Sequence, residues 1–499
     1  MRLASRSECQ EIDRRSQSEY GVSAEILMEA AGVAAATAIR ESYPNTTSVV
    51  VVCGPGNNGG DGLVVARQLH STGRPGIQVV AVGPAEKRSE PFQLQLERCR
   101  KCGIAIVDYP SAGAMEAVQQ ASLIVDAIFG IGLRGEVNDP YRGLILAINE
   151  SAAPVVSLDT PSGLDADRGV KCGVAVRAEQ TLTFGVAKRG FYIGDGPLLT
   201  GRVKILPIGF PYQLVREVAV QTKLFTSRTA RYVLPRRRAR THKATYGHAL
   251  IIAGSPGMWG AGVLSAHAAY RMGAGYVTLA SSGELMELSA TEPEILTADA
   301  FDERIWNSPR WRAAAVGPGL GVSDQTEELL RRLVASGCPN VVVDADAITV
   351  AAQRGLFPFP PTWILTPHTG ELSRILGMSA EEIEADRFEA VRRATERTGC
   401  IVLLKGFRTI VARGPCAWVI GSGNSTLAKA GTGDVLTGMI VGLLAQGLRP
   451  LRAAAAAAYV HGRLADDWVK TGRSKSSLVA KDLYEMLPGL LAKLTGEAE

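Results

Sequence analysis

The 499-residue chain reads as an α/β protein built from two successive α/β domains. Three observations predict this. Short Val/Ile-rich runs alternate with stretches of helical periodicity in both halves, the pattern of mostly parallel strands joined by helices. Several of these runs end in glycine-rich turns or carboxylates, where an open parallel sheet presents its ligand-binding edge. The alternation lapses over residues 212–242 and restarts at His248, and a chain this long carries two or more domains on size alone.

In the first half, helical patterning covers residues 9–14 and 26–39, and residues 49–53 form a buried-strand candidate. That strand runs into Gly54-Pro55-Gly56-Asn57-Asn58-Gly59-Gly60-Asp61-Gly62, with a helix expected over residues 63–70. Strand, glycine-rich turn and helix form a phosphate-binding arrangement. The spacing of Gly54, Gly56 and Gly59 is weak evidence alone. Asn57, Asn58 and Asp61 strengthen it, because a plain turn needs no such polar set. Two further strands, residues 123–126 and 155–159, end in Asp126 and Asp159 and lead into residues 127–135 and Thr160-Pro161-Ser162-Gly163-Leu164-Asp165. On one sheet edge, Asn58, Asp126 and Ser162 could offer oxygens to a hard cation, with Asp159 facing the same crevice. Each Asp could instead cap a following turn; three at matching positions favour a site.

The second half repeats the arrangement. A strand over 249–253 leads into Gly254-Ser255-Pro256-Gly257-Met258-Trp259-Gly260-Ala261 and a small-residue helix to Gly273. Residues 313–321 end in a close-approach turn containing Gly317, Gly319 and Gly321, and residues 341–346 read as a strand ending in Asp344 and Asp346. Pro367-His368-Thr369-Gly370-Glu371 follows one strand and Lys405-Gly406-Phe407-Arg408-Thr409 another. Lys405 at a strand end can neutralise a phosphate, and His368 reads as a core or capping histidine or, between Pro367 and Glu371 on a loop, as a ligand contact, the reading favoured. The segment Gly423-Asn424-Ser425-Thr426-Leu427-Ala428-Lys429-Ala430-Gly431-Thr432-Gly433-Asp434 lies between a strand near 417–420 and a periodic apolar helix through Leu444. Gly431–Gly433 should open that helix, whose free N–H groups and dipole suit an anion. Asp434 then stands in the first turn, placed to take a proton from a hydroxyl attacking a phosphoryl group. The alanines of 453–458 read as a packed helix.

Composition excludes several classes. Hydrophobic and charged contents of 46% and 21% suit a soluble globular protein, and a net charge of +5 predicts no nucleic-acid partner. Arg236, Arg237, Arg238 and Arg240 read as a solvated linker. The apolar runs fall short of a membrane span, and the polar first ten residues do not read as a signal peptide. Eight scattered cysteines fit reduced thiols in the cytoplasm, and the lone Cys99-x-x-Cys102 pair argues against zinc. A homo-oligomer is expected.

Residues 54–62, 125–130, 158–165 and 183–188 resemble the motifs of the NAD(P)H-hydrate epimerase family over roughly residues 1–215. The resemblance implies a Rossmann-like three-layer domain that interconverts the R and S epimers of hydrated NADH and NADPH and binds K+. It places K+ on Asn58, Asp126 and Ser162. It places the hydrate on Asn57-Asn58-Gly59-Gly60-Asp61, on Gly130-Ile131-Gly132-Leu133-Arg134-Gly135-Glu136 and on Asp159. Asp159 and Lys188 are the candidate acid–base residues. Residues 257–261, 317–321, 366–372, 405–406 and 431–438 resemble the ADP-dependent NAD(P)H-hydrate dehydratase family over roughly residues 225–495. This implies a ribokinase-like α/β/α domain over 225–499. ADP as co-substrate is assigned to Lys405 to Thr409 and Asn424 to Gly433, the S hydrate to Ala261, Gly319, His368 and Asp434, and Mg2+ is a candidate beside the nucleotide. Ser425-Thr426 and Lys429-Ala430 depart from the commonest family pattern, which leaves ADP against ATP open. The combination predicts a repair enzyme for hydrated NADH and NADPH. The alternatives are a ribokinase-like small-molecule kinase fused to a nucleotide-binding domain, and a non-catalytic nucleotide-binding scaffold.

Overall fold

A computed structural model describes residues 1–218, 221–282, 292–307 and 310–496. The chain divides into two compact units, Arg2–Thr222 and Lys223–Glu499, the second including Met1. The stretch read as irregular is mostly regular. It holds the helix Tyr212–Val218, the strand Thr222–Phe225 and the helix Ser227–Val233, and extended chain begins only after them. Short elements rich in Arg and Thr carry too little apolar periodicity to be seen from sequence.

The first unit is built on a seven-stranded sheet. Its strands run in the order Ala105–Tyr109, Ile77–Val82, Val49–Cys53, Leu123–Ala127, Val155–Leu158, Gln180–Phe184 and Arg202–Leu206, every neighbouring pair parallel. Alternate residues of one strand enter different cores, Val51 with Val79 and Val125 on one face, Val50 and Val52 with Val80 and Ile124 on the other. This explains the uninterrupted valines: both faces are covered. Strand order reverses between Val49–Cys53 and Leu123–Ala127, which opens a crevice at their carboxyl ends.

The helix expected at residue 63 begins six residues earlier, as Asn57–Ser71. Its first turn therefore contains Asn57 to Asp61, which propensity alone would leave in a loop. The close packing requires the glycines there. A Cβ on Gly59 would lie 1.8 Å from the Gly54 carbonyl oxygen, and one on Gly54 would lie 2.0 Å from that of Ile128.

In the second unit, parallel strands run in the order Leu296–Asp299, Tyr276–Ser281, His248–Ile252, Ala313–Val316, Val341–Val343, Ile364–Leu365 and Ile401–Leu404. Ile410–Arg413 and Cys416–Ile420 extend the sheet antiparallel. Asp344 and Asp346 are not strand residues: the strand ends at Val343, Asp344 is the N-cap of the helix Ala345–Gln353, and Asp346 lies in its first turn. The helices Trp259–Arg271 and Thr432–Ala445 pack so closely that a Cβ on Gly438 would lie 2.0 Å from the Ser265 carbonyl oxygen. The alanine run lies in the buried face of the helix Pro450–Lys470. Among the described residues, no helix is long and apolar enough to cross a membrane.

Candidate active sites

Each unit carries one cluster of ionisable groups at the carboxyl ends of its central strands. In the first, Asp126 is fully buried at the end of Leu123–Ala127. Its carboxylate accepts from the Ser157 hydroxyl (2.8 Å), the Ser162 N–H (2.9 Å), the Ser162 hydroxyl (2.5 Å) and the Ile128 N–H (3.2 Å). Burial still holds its pKa above the ordinary carboxylate value, with those donors opposing the shift. Ser162 Oγ also accepts the Phe129 N–H at 2.9 Å. The next residue, Gly130, packs against Asn58 and Asp159: a Cβ there would lie 3.4 Å from Asn58 and 3.3 Å from Asp159 Oδ2. Asn58 is buried, and neither its amide oxygen nor its amide nitrogen has a partner among the described residues. An orphaned buried amide is costly unless a ligand completes it. Oxygens of Asn58, Asp126 and Ser162 are donors of the kind a hard cation takes.

Asp159 follows the strand Val155–Leu158 at φ 60, a region costly for a non-glycine residue. Its Oδ1 is ion-paired with Lys188, a fully buried lysine that also donates to Thr183 Oγ1 at 2.7 Å. Burial works against the Lys188 charge, but Asp159 outweighs it and the pKa is raised. Two more carboxyls face this pair. Asp61, in the first turn of Asn57–Ser71, is held well above the usual carboxylate range by burial and by Asp159. Asp13, on the helix Arg6–Tyr20, is pushed up to about 6 for the same reasons. Asp13 is not among the residues singled out from sequence; its only mark there is a carboxylate on the half-buried side of an amphipathic helix. Ile131 to Glu136 form a half-buried to exposed rim beyond Gly130, while Asn57 is exposed with Ser89 at 3.4 Å. Cys99 is buried and Cys102 exposed, both free.

In the second unit, Gly431 caps the helix Thr432–Ala445 at φ 84, and Asp434 stands in its first turn. The Asp434 backbone oxygen accepts from Ser265, but its carboxylate has no partner among the described residues. Burial, reinforced by Asp344 and opposed by Lys405, raises its pKa to about 6. Lys405 Nζ lies 2.9 Å from Asp344 and 3.8 Å from Glu371. It is also 3.7 Å from where a Gly433 Cβ would stand, so the two segments assigned to the nucleotide meet here. Asp344, almost fully buried, also accepts from Thr437 at 2.6 Å. Glu371 is pushed up to about 7, chiefly by burial. Asp344, Glu371 and Thr437 were not assigned roles from sequence, because the approach of Asp344 and Glu371 to Lys405, and of Thr437 to Asp344, is a property of the sheet edge.

His368 is the N-cap of the helix Thr369–Leu376: its Nδ1 accepts from the Gly370 N–H at 3.0 Å while its own backbone N–H donates to Glu371. The capping role is thus realised, and the ring, more than half exposed, keeps Nε2 toward Glu371 at 3.5 Å. Gly319, at φ 62, is brought beside Ala261, whose Cβ lies 3.1 Å from where its own would be. Phe407 is exposed in the turn between Ile401–Leu404 and Ile410–Arg413, with Arg408 at φ 61 and the Arg387 guanidinium 2.7 Å from where a Gly406 Cβ would stand. Ser425–Leu427 form a short 3-10 turn, Lys429 is bonded to the Ser476 carbonyl, and Thr432 Oγ1 donates to Leu427 and Lys429 carbonyls at 2.9 Å.

Comparison with known proteins identifies what carries this pair of sites. Residues 24–190 match the family model of the YjeF-related protein N-terminus, and residues 249–488 that of NAD(P)H-hydrate dehydratase. A bifunctional NAD(P)H-hydrate repair enzyme from Moorella thermoacetica is 36% identical, covering 100% of this chain and 98% of its own. A solved ADP/ATP-dependent NAD(P)H-hydrate dehydratase from Bacillus subtilis, co-crystallised with ATP and Mg2+, is 33% identical with a TM-score of 0.50, covering 55% of this chain and 99% of its own. A ribokinase-like superfamily protein from Enterococcus faecalis gives the same TM-score at 25% identity, covering 55% of this chain and 96% of its own. The chain belongs to the family of bifunctional NAD(P)H-hydrate repair enzymes.

Proposed function

We propose that this chain repairs hydrated NADH and NADPH in two steps, residues 1–215 interconverting the R and S hydrates and residues 225–499 dehydrating the S hydrate at the expense of ADP. The observation that carries the reading is the unpaired Asp434 carboxylate at a helix start beside Lys405. Hydroxide is a poor leaving group, so direct dehydration is slow. Asp434 takes the proton from the C6 hydroxyl, whose oxygen attacks the terminal phosphoryl group of ADP, and AMP leaves. Lys405 and the N–H groups at Gly431–Gly433 stabilise the charge that develops. The ring nitrogen then expels phosphate from C6, and loss of a proton from C5 restores NAD(P)H. Were Mg2+ to accompany the nucleotide it would neutralise phosphate charge, and Asp344 and Glu371, beside Lys405, are the carboxylates that would hold it.

In the first unit, the Lys188–Asp159 pair supplies a donor and an acceptor for opening and re-forming the bond at C6, with Asp61 and Asp13 as neighbouring acids. Asn58, Asp126 and Ser162 would hold K+, which would fix the loop that carries Gly130 against the hydrate.

The test uses a mixture of R and S hydrates and follows recovery of the reduced-nicotinamide absorbance. The full chain with ADP is expected to convert the whole mixture rapidly. A fragment of residues 225–499 converts the S fraction and then slows to the spontaneous epimerisation rate, and adding a fragment of residues 1–220 restores fast conversion. Equal consumption of both epimers by the second fragment alone would refute the division of labour.

A further inference from the structure

The helix Pro450–Lys470 contributes no group to the chemistry above, yet it touches the nucleotide segment repeatedly. The Tyr459 carbonyl accepts from Ser422 Oγ at 2.7 Å. At Gly462, a Cβ would lie 2.7 Å from the Ser422 carbonyl carbon and 2.8 Å from the Gly423 nitrogen, so helix and strand end meet backbone to backbone. Asp466 accepts the Gly423 N–H at 3.0 Å and the Asn424 side-chain N–H at 2.9 Å. Asn424 Oδ1 in turn accepts the Thr426 N–H at 3.0 Å. One carboxylate thus fixes the entry to the loop through charge-assisted hydrogen bonds.

His461 reaches a different point. Its Nε2 lies 2.9 Å from the carbonyl oxygen of Thr432, between Gly431 and Gly433 and two residues before Asp434. A carbonyl only accepts, so Nε2 carries the proton. The imidazole is buried, and burial holds its pKa down to about 4, so at neutral pH it ties the turn without adding charge.

We propose that Asp466 and His461 are positioning residues of the dehydratase, Asp466 setting the loop that receives the nucleotide and His461 setting the turn that presents Asp434 and its neighbouring N–H groups to the transferred phosphoryl group. The proposal rests on the reading of this segment as the ADP site. Without Asp466, the loop must be ordered by the nucleotide itself, which weakens binding. Without the His461 contact, bound nucleotide meets a misplaced base, and small misplacements cost rate.

The experiment uses the full chain, with ADP titration calorimetry, saturating-substrate dehydration rates and melting midpoints. Asp466→Ala is expected to weaken ADP binding about 10- to 100-fold while kcat at saturating ADP stays within about 3-fold. His461→Phe is expected to lower kcat about 10- to 100-fold with ADP binding changed less than about 3-fold. His461→Gln, which keeps an N–H donor, should recover most of the rate. Should an Ala or Phe variant fail to fold, Asp466→Asn and His461→Leu, which also removes the donor, carry the same comparison. Parallel loss of binding and rate in both variants, failure of His461→Gln to recover the rate, or no loss at all, overturns the proposal. Wild-type chain that binds ADP but dehydrates no hydrate overturns the reaction assignment instead, and the Asp466 binding result still decides its part.

Discussion

The two sites use a lysine in opposite ways. In the first unit, Lys188 is bonded to Asp159, the carboxylate nearest the proposed chemistry, and neither group is free. In the second, Lys405 is bonded to Asp344 and approached by Glu371, while Asp434 keeps its carboxylate unpaired. The difference follows the reactions. Epimerisation at one carbon returns every proton it borrows, which suits a matched donor and acceptor. Phosphoryl transfer needs a base with an open lone pair and a separate cation for the phosphates. The largest effect should therefore come from removing the one unpaired base: Asp434→Asn is expected to lower dehydration about 10²–10⁴-fold and leave epimerisation of the same chain intact. Near-normal dehydration by a folded variant would sink the assignment.

The pairing also predicts unequal structural costs. Lys188→Met leaves Asp159 facing Asp61 and Asp13 without its cation, in a site where breaking a buried pair costs about 3–5 kcal/mol. The melting transition of the first unit should fall markedly, and Lys188→Met combined with Asp159→Leu should recover much of the loss. The same single change at Lys405, which is less buried than Lys188, should cost less stability and show chiefly as weaker ADP binding. Equal loss of stability at both sites would remove the contrast.

How much of this was legible beforehand depended on whether a feature is local. The strand runs at residues 49–53 and 401–404, the helix start at Gly431 and the meeting of Asp126 with Ser162 follow from apolar periodicity and from strand ends sharing one edge. The early start of Asn57–Ser71 was not legible, because glycines lower helix propensity and only the packing of Gly54, Gly59 and Ile128 explains them. Asp13 and Glu371 were not, since each becomes part of a site through residues far along the chain. Asp466 was the least visible: it lies on a helix that reads as core, and its value is the two N–H groups it accepts.

A smaller effect concerns the ion. Among the described residues, only the first site has an orphaned buried amide, Asn58, among oxygens suited to a monovalent cation. Exchange of K+ for Li+ should slow epimerisation about 10-fold or less, because the proposed ion would complete a loop whose Asp126–Ser162 frame is already bonded. Dehydration, followed with the pure S hydrate so that supply does not limit it, should be unaffected. A crystal grown in K+ should show density touching Asn58, and equal sensitivity of both activities would dissolve the distinction.

The smallest effect is the shape of the pH profiles, and it tests the unpaired state of Asp434 most directly. Its pKa is raised from 3.8 to about 6, first by burial and then by Asp344. A base works only when deprotonated, so dehydration is lost as pH falls through that value: with saturating hydrate and ADP the rate should be at most about half its plateau at pH 6 and at most about a tenth at pH 5. A bound polyphosphate adds negative charge nearby, which moves the midpoint upward and never below the free value. Asp344 does not shape this limb, because Lys405 and its hydrogen bonds offset its burial and hold its pKa below the ordinary carboxylate value. Glu371 titrates near 7, so a Glu371→Gln variant separates its contribution: the limb near 6 should persist if Asp434 is the base. In the first unit Lys188 is held charged by Asp159 while Asp13 beside the pair is pushed up to about 6, so epimerisation is expected to bend over the same range, and the dehydration limb is read with the pure S hydrate. A dehydration rate flat down to pH 5 would mean that the reacting hydroxyl loses its proton elsewhere, and that the open carboxylate at the helix start is not the base.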